Sequence, residues 1–189
     1  MDDLYAFAFR GLLTEASLDR TSRQRRKHVG AEEAAALRRT LSFDLLDTDC
    51  LSDAQRMSYV YAAIHSFENM VRRLVVKAML ESLGESWWQK VPAKISTRVQ
   101  TRMEEDSKFR WHGARGGSEI NYCDFGDLSS IIVTNWVVFE DLLANMEWAK
   151  AILNTLEKSR NIVMHGGVLA NEDIERIGMN IRDWIHQTG

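Results

Sequence analysis

The sequence predicts an all-α fold with a helical N-terminal extension. Apolar residues recur at spacings of three and four over long stretches. Pro92 is the only proline, and 11 of the 189 residues are Gly. Alternating runs joined by hairpin turns are scarce. The length suits one domain with a short extension. A hydrophobic fraction of 45 % beside 27 % charged residues excludes wholesale disorder.

Leu4, Phe7, Leu12 and Leu13 predict a short helix over residues 4–18. A basic run follows at 20–28, containing Arg20, Arg23, Arg25, Arg26, Lys27 and His28. Across residues 20–40, seven Lys or Arg stand against two Glu, a net +5. The whole chain carries −3, so the remainder carries −8. Such a stretch reads either as a solvated linker or as a contact for a phosphate backbone, since Lys and Arg displace counterions from a polyanion.

A long helix is predicted from Asp53 to about Gly84. Its stripe is Met57, Val60, Ile64, Phe67, Val71, Leu74 and Ala78. Asp53 suits the N-cap and Gly84 the C′ position. Glu68 and Arg72 stand one turn apart and can pair. Together with Arg73 they form a solvated face, an interhelical ion pair or the wall of an RNA groove. His65, next to Ile64, is expected to be partly buried.

A second helix is expected over about Ser86–Ser107, bent near Pro92. Trp87 and Trp88 there either pack between helices or stack bases. Residues 112–126 hold Gly113, Gly116, Gly117 and Gly126 beside His112, Arg115 and Glu119. No GKS/T sequence occurs there and no strand precedes it, so this reads as a flexible connection. Asp127 is expected to cap a third helix carrying Leu128, Ile131, Ile132, Trp136 and Phe139. A fourth runs from about Asn145 to His165 and ends at Gly166-Gly167. Asn171 caps a fifth, with Glu172 and Asp173 favoured in its first turn and a stripe of Ile174, Ile177, Ile181 and Ile185. Met57, Met70, Met79, Met146 and Met164 are expected core fillers, and Trp136, Trp148 and Trp184 core residues. His186 is expected to be exposed.

Cys50 and Cys123 are far apart, which disfavours a disulfide scaffold or thiolate zinc site and makes a reducing compartment the default. The acidic start, Met1-Asp2-Asp3, lacks the basic region of a secretory signal. The apolar run Leu128–Phe139 is too short to span a bilayer. A cytoplasmic protein without a membrane anchor is expected. No His/Asp/Glu cluster has metal-ligand spacing, so no metal and no cofactor are predicted.

The fourth helix concentrates the chemistry. Ile152, Leu156 and Val163 make its buried stripe. Asn154, Lys158, Asn161 and His165 fall at i, i+4, i+7 and i+11 on one polar face. Arg160 lies about 100° round the axis from Asn161, within reach of its side. His165 sits in the last turn, where carbonyl ends favour imidazolium. An Arg nearby offers planar donors for phosphate. Arg160, Asn161 and His165 can converge to transfer protons and stabilise a phosphorane-like transition state. The same residues also suit plain helix capping.

Arg160-Asn161-Ile-Val-Met-His165 resembles the Arg-x4-His signature of HEPN domains. Further blocks are similar to the Swt-type HEPN branch: Trp87-Trp88-x-x-Val91-Pro92, Tyr122-Cys-Asp124-Phe125-Gly126-Asp127-Leu128, Asn135-Trp136-x-x-Phe139, and Glu172-Asp173-x-x-Arg176-Ile177. The likeness spans about residues 53–187, leaving 1–50 as the extension that carries the basic run.

The resemblance implies an antiparallel HEPN-type helical bundle. It implies a homodimer whose two motifs share one composite cleft. It also implies metal-independent endoribonuclease activity that leaves a 2′,3′-cyclic phosphate. Such proteins often serve as toxins or as anti-phage, abortive-infection effectors, with an antitoxin or defence-system partner. Arg160 and His165 would be the catalytic pair, with Asn161 supporting them. Read from charge and position rather than from the resemblance, Lys158, Arg72, Arg23, Arg25 and Arg26 are the candidate RNA contacts. The alternatives are a non-catalytic HEPN module for dimerisation and for binding RNA, a nucleotide or a partner protein, and a plain helical adaptor. Toxins silenced by a nucleotidyltransferase partner often carry Tyr two residues after the His. This chain has Gly167, which argues against that control.

Neutralising Arg23, Arg25 and Arg26 together is expected to weaken RNA binding and flatten its salt dependence. A titration of binding against salt checks this, and an unchanged slope would refute the role of the run.

Overall fold

The computed structural model describes residues 14, 29–109 and 111–188. Apart from Thr14, the helix expected over 4–18 lies outside the described residues. So does the basic run 20–28 with Arg23, Arg25 and Arg26. Every regular element among the described residues is helical, as an all-α fold requires.

The chain divides into two units, Met1–Thr48 and Asp49–Gly189. In the first, helix α1 (Ala31–Thr40) has Glu32 and Glu33 in its first turn and Arg38 and Arg39 in its last, an order that complements the helix dipole. A 3₁₀ turn, Phe43–Leu45, follows. Arg38 lies over the Phe43 ring, 5.2 Å from its centroid.

The second unit is organised on α2 (Thr48–Leu83). This helix begins five residues before Asp53, so Asp53 lies inside it rather than at its cap. Met57, Val60, Ile64, Phe67, Val71 and Ala78 are buried as the spacing predicts, with Val75 and Met79 beside them. Gly84 ends the helix at a φ of +70°, a left-handed conformation that favours glycine. His65 is exposed, not core. It stacks on Tyr61 one turn earlier, with ring centroids 5.6 Å apart. Met70 and Met164 are likewise exposed, because both fall off the buried stripes of their helices.

The single helix expected over 86–107 is two elements. A 3₁₀ segment, Glu85–Lys90, packs Trp87 and Trp88 against the core, and α3 (Ala93–Lys108) starts after Pro92. Proline has no N–H to donate and suits a helix start. A further 3₁₀ turn, Glu119–Tyr122, packs beside α3. Then come α4 (Phe125–Thr134), the short α5 (Trp136–Phe139), α6 (Met146–Met164) and α7 (Asn171–Thr188). Asn135 separates α4 from α5. Its side-chain amide donates to the Ile131 carbonyl at 3.0 Å, and the expected third helix breaks there. On α7, Trp184 is buried as expected, whereas Ile185, expected on the buried stripe, is exposed.

Helix α6 packs against α4 and α7. Phe67 stacks on Phe125 at 6.2 Å and meets Trp184 edge-on at 5.5 Å. Trp148 stacks on Trp184 at 5.7 Å. One aromatic cluster therefore ties α2, α4, α6 and α7, and aromatic pairs add to the area they bury.

The cap of α4 is Asp124, not Asp127. Its carboxylate accepts the Asp127 N–H at 3.0 Å, and the Asp127 carboxylate accepts the Asp124 N–H at 3.2 Å. This reciprocal capping box sets the helix start three residues upstream of Asp127. Arg102 on α3 donates to Asp124 at 2.9 Å, to Asp127 at 3.1 Å and to the Tyr122 carbonyl at 2.5 Å. Arg98 pairs with Asp127 at 2.7 Å. Burial opposes the charge on Asp124, but the Asp127 backbone N–H and Arg102 outweigh it and hold the carboxyl below its ordinary range.

Asp124→Ala is expected to destabilise the protein by about 2 kcal/mol at pH 7, through loss of the cap and of charged hydrogen bonds. A depressed folded-state value gives stability that is complete above the ordinary carboxylate range and is lost as the pH falls. The gap between wild type and variant in urea unfolding should therefore shrink between about pH 5 and pH 2. A constant gap would contradict this.

Candidate active site

Asn145 starts α6 by accepting the backbone N–H groups of Glu147 at 2.8 Å and Trp148 at 3.1 Å. From that start the helical period turns Ile152, Leu153 and Leu156 into the core. It turns Asn154, Lys158, Asn161 and His165 outward, and all four are exposed. Together with Glu157 and Ile162 they line an open groove of about 490 Å³.

His165 occupies the C-cap of α6. Beyond it, Gly166 N–H bonds to the Val163 carbonyl at 3.1 Å and Gly167 N–H to the Ile162 carbonyl at 2.8 Å. This is a Schellman ending, with Gly166 at a φ of +78°. A Cβ on Gly167 would come within 2.6 Å of the Ile162 side chain and 2.9 Å of its carbonyl oxygen. Any larger residue there would displace the turn that holds His165.

Arg160 turns to the other side of Asn161. Its Nε lies 3.6 Å from the Glu68 carboxylate, and its Nη1 donates to Asn161 Oδ1 at 3.3 Å. Glu68 on α2 is only 4 % exposed, so an isolated charge there would be costly. Its other oxygen pairs with Arg72. Arg72 also donates to Asn69 at 3.0 Å and to the Cys123 carbonyl at 2.8 Å. Glu68 is thus a buried bridge between α2 and α6, the interhelical form of the pairing that the sequence allowed.

Arg160 and Arg72 line a second, polar cavity of about 410 Å³ with Arg102, Arg115, Glu68 and Asp124. No hydrogen bond or ion pair joins Arg160 to His165 among the described residues. Asn161 connects the two sides by accepting from Arg160 and lining the His165 groove. Lys158 lies on the groove, Arg72 on the cavity, and Arg73 is exposed outside both.

Sequence reading missed Glu157, Arg102 and Asp124 as parts of the site. For Glu157 a signal existed, because it precedes Asn161 by one turn on the same face. Its Oε1 accepts the Gly126 N–H at 3.2 Å. Burial pushes its carboxyl above the ordinary range, Asp124 and Asp127 add to this, and Arg160 opposes it. Cys123 is buried, and its thiol is pushed up to about 12 by burial and the two aspartates. It is not a thiolate nucleophile. Among the described residues no three His, Cys, Asp or Glu are grouped as metal ligands. No helix among them is long and apolar enough to cross a membrane.

A carboxyl whose folded-state value is raised costs stability once the pH exceeds its unfolded value. Glu157→Gln, which keeps an acceptor for Gly126, is therefore expected to raise Tm at pH 7–8 and to leave it unchanged near pH 4. Thermal melts across this range check the sign, and a lowered Tm at pH 8 would refute it.

A family model described as Swt1-like HEPN matches residues 62–189. No curated protein and no solved structure matches the chain. HEPN domains are all-α, commonly bind RNA and dimerise, and are often ribonucleases. The match covers about two thirds of the sequence and includes α6 with its Arg160–His165 segment, so the chain belongs to the Swt1-like HEPN family.

Proposed function

We propose that this protein is a metal-independent endoribonuclease, with residues 53–187 as the nuclease domain and 1–50 as an extension. The ribose 2′-oxygen forms a bond to phosphorus and the bond to the 5′-oxygen breaks, giving a 2′,3′-cyclic phosphate and a 5′-hydroxyl. The 2′-hydroxyl loses a proton and the departing oxygen gains one. His165 is the proton-transfer group, Arg160 stabilises charge on the equatorial oxygens, and Asn161 orients the phosphate between them. Lys158 and Arg72 bind flanking backbone, and Arg23, Arg25 and Arg26 add affinity from the extension.

The observation that carries this reading is the Asn161 link between Arg160 and the His165 groove. A homodimer completes the site, because a second His165 would supply the opposite proton transfer in two-fold symmetry. Exposed Ile162, Met164 and Val168 beside His165 supply apolar surface for such a self-meeting face. The biological role that fits is a cytoplasmic toxin or anti-phage effector restrained by a partner. A second reading, a non-catalytic RNA- or nucleotide-binding module, is favoured by one feature: Arg160 is held by Glu68 and does not touch His165 within one chain.

Total RNA incubated with the protein in EDTA should be cut by wild type. Arg160→Ala and His165→Ala, matched for fold by circular dichroism, should each lose at least about 10²-fold in rate. Cleavage that persists in His165→Ala would overturn the assignment, and RNA bound but left intact by wild type would favour the binding module.

A further inference from the structure

We propose that the cavity behind Arg160 is a phosphate-binding subsite and that Arg115 is the side chain that closes on the phosphate. Four arginines line it, Arg72, Arg102, Arg115 and Arg160, against two carboxylates, Glu68 and Asp124. Within the lining itself guanidinium groups outnumber carboxylates two to one, a donor set suited to a phosphodiester oxyanion, while Asp127 on Arg102 and Asp106 on Arg115 supply counter-charge from outside it. The carboxylates are already engaged, Glu68 by Arg72 and Arg160 and Asp124 by Arg102. Arg72 Nε is buried without a hydrogen-bond partner and is closed off from solvent, so the donors that a ligand can reach are those of the more exposed Arg115 and Arg160.

Arg115 is the least committed of the four. Its side chain is half exposed, and its partner Asp106 lies at 3.7 Å, too far for a strong charged hydrogen bond. It rests over the buried Tyr122 ring at 5.7 Å, which aims it along the cavity rim. The loop that delivers it is built for close approach. Gly116 has a φ of +153°, and a Cβ there would fall within 3.0 Å of the Asn121 side chain, itself part of the cavity lining. Gly116 thus seats the loop against the cavity wall beside Asn121.

The ligand chemistry is a phosphate oxyanion. Arg160 borders both this cavity and Asn161, so an RNA strand with its scissile phosphate in the groove would place a neighbouring phosphodiester here. This deepens the nuclease reading and rests on it for the identity of the strand. A free nucleotide offers the same oxyanion and is the other source.

Equilibrium binding of an uncleavable 2′-O-methyl oligonucleotide and of ADP to the full chain separates the cases. Arg115→Ala is expected to weaken oligonucleotide binding about tenfold. It should lower the salt slope by about 0.7, the loss of one single-strand phosphate contact. Arg115→Lys should restore the slope but only part of the affinity, because the planar fork is gone. If no variant binds the oligonucleotide but ADP binds in an Arg115-dependent manner, the subsite stands and the nuclease reading falls. If the oligonucleotide binds with the same affinity and slope in Arg115→Ala, the subsite is overturned while the nuclease reading stands. Wild type that binds neither ligand overturns the subsite as well.

Discussion

The buried carboxylate of Glu68 is the interaction on which the rest of the site depends. It sits mid-way along α2, within the core stripe, and its two oxygens are shared between Arg72 and Arg160. Through Arg72 it also fixes the backbone at Cys123, just before α4 begins. One side chain thus sets the spacing between the central helix, the α4 start and α6. Buried ion pairs of this kind add little net stability compared with an apolar packing of the same shape. Removing one partner is another matter, since it strands a charge in the interior. The arrangement is better understood as a device for position than as a source of stability.

A second ionic cluster does the same for the neighbouring elements. Arg102 and Arg98 on α3 hold the paired aspartates that open α4. Glu157 on α6 then accepts from Gly126 in the first turn of α4. Polar contacts therefore run unbroken from α3 across the start of α4 to α6, along one edge of an apolar core. The groove and the arginine-lined cavity lie along this edge because that is where charged side chains converge from three helices. Fully partnered networks of this type rigidify what they connect.

Much of this was legible in the sequence. The stripes of α2 and α6 fixed which faces are buried, and the i, i+4, i+7, i+11 series on α6 named four of the residues that line the groove. Gly84, Asn145 and the Gly166-Gly167 pair marked helix ends through backbone chemistry that only certain residues satisfy. The misses have a common cause. Helical period states which way a side chain points but not what it meets. Asp127 read as a cap because reciprocal capping places an acid at both ends of the box. The second partner of Glu68 lies 92 positions along the chain, and Arg115 reaches its cavity only through a fold of the glycine-containing loop. Such long-range meetings are not encoded in local spacing. The exposure of Met70, Met164 and Ile185 reflects the same limit, since apolar residues need not all be buried.

The distribution of charge has a further consequence. The chain as a whole is acidic, yet four of its 17 arginines line one concavity. Surface charge acts on an approaching polyanion only within about 10 Å at 0.1 M salt. For the nuclease proposed above, this concavity would act as an orientational filter rather than as general adhesion, favouring a strand that arrives facing the helix that carries Arg160.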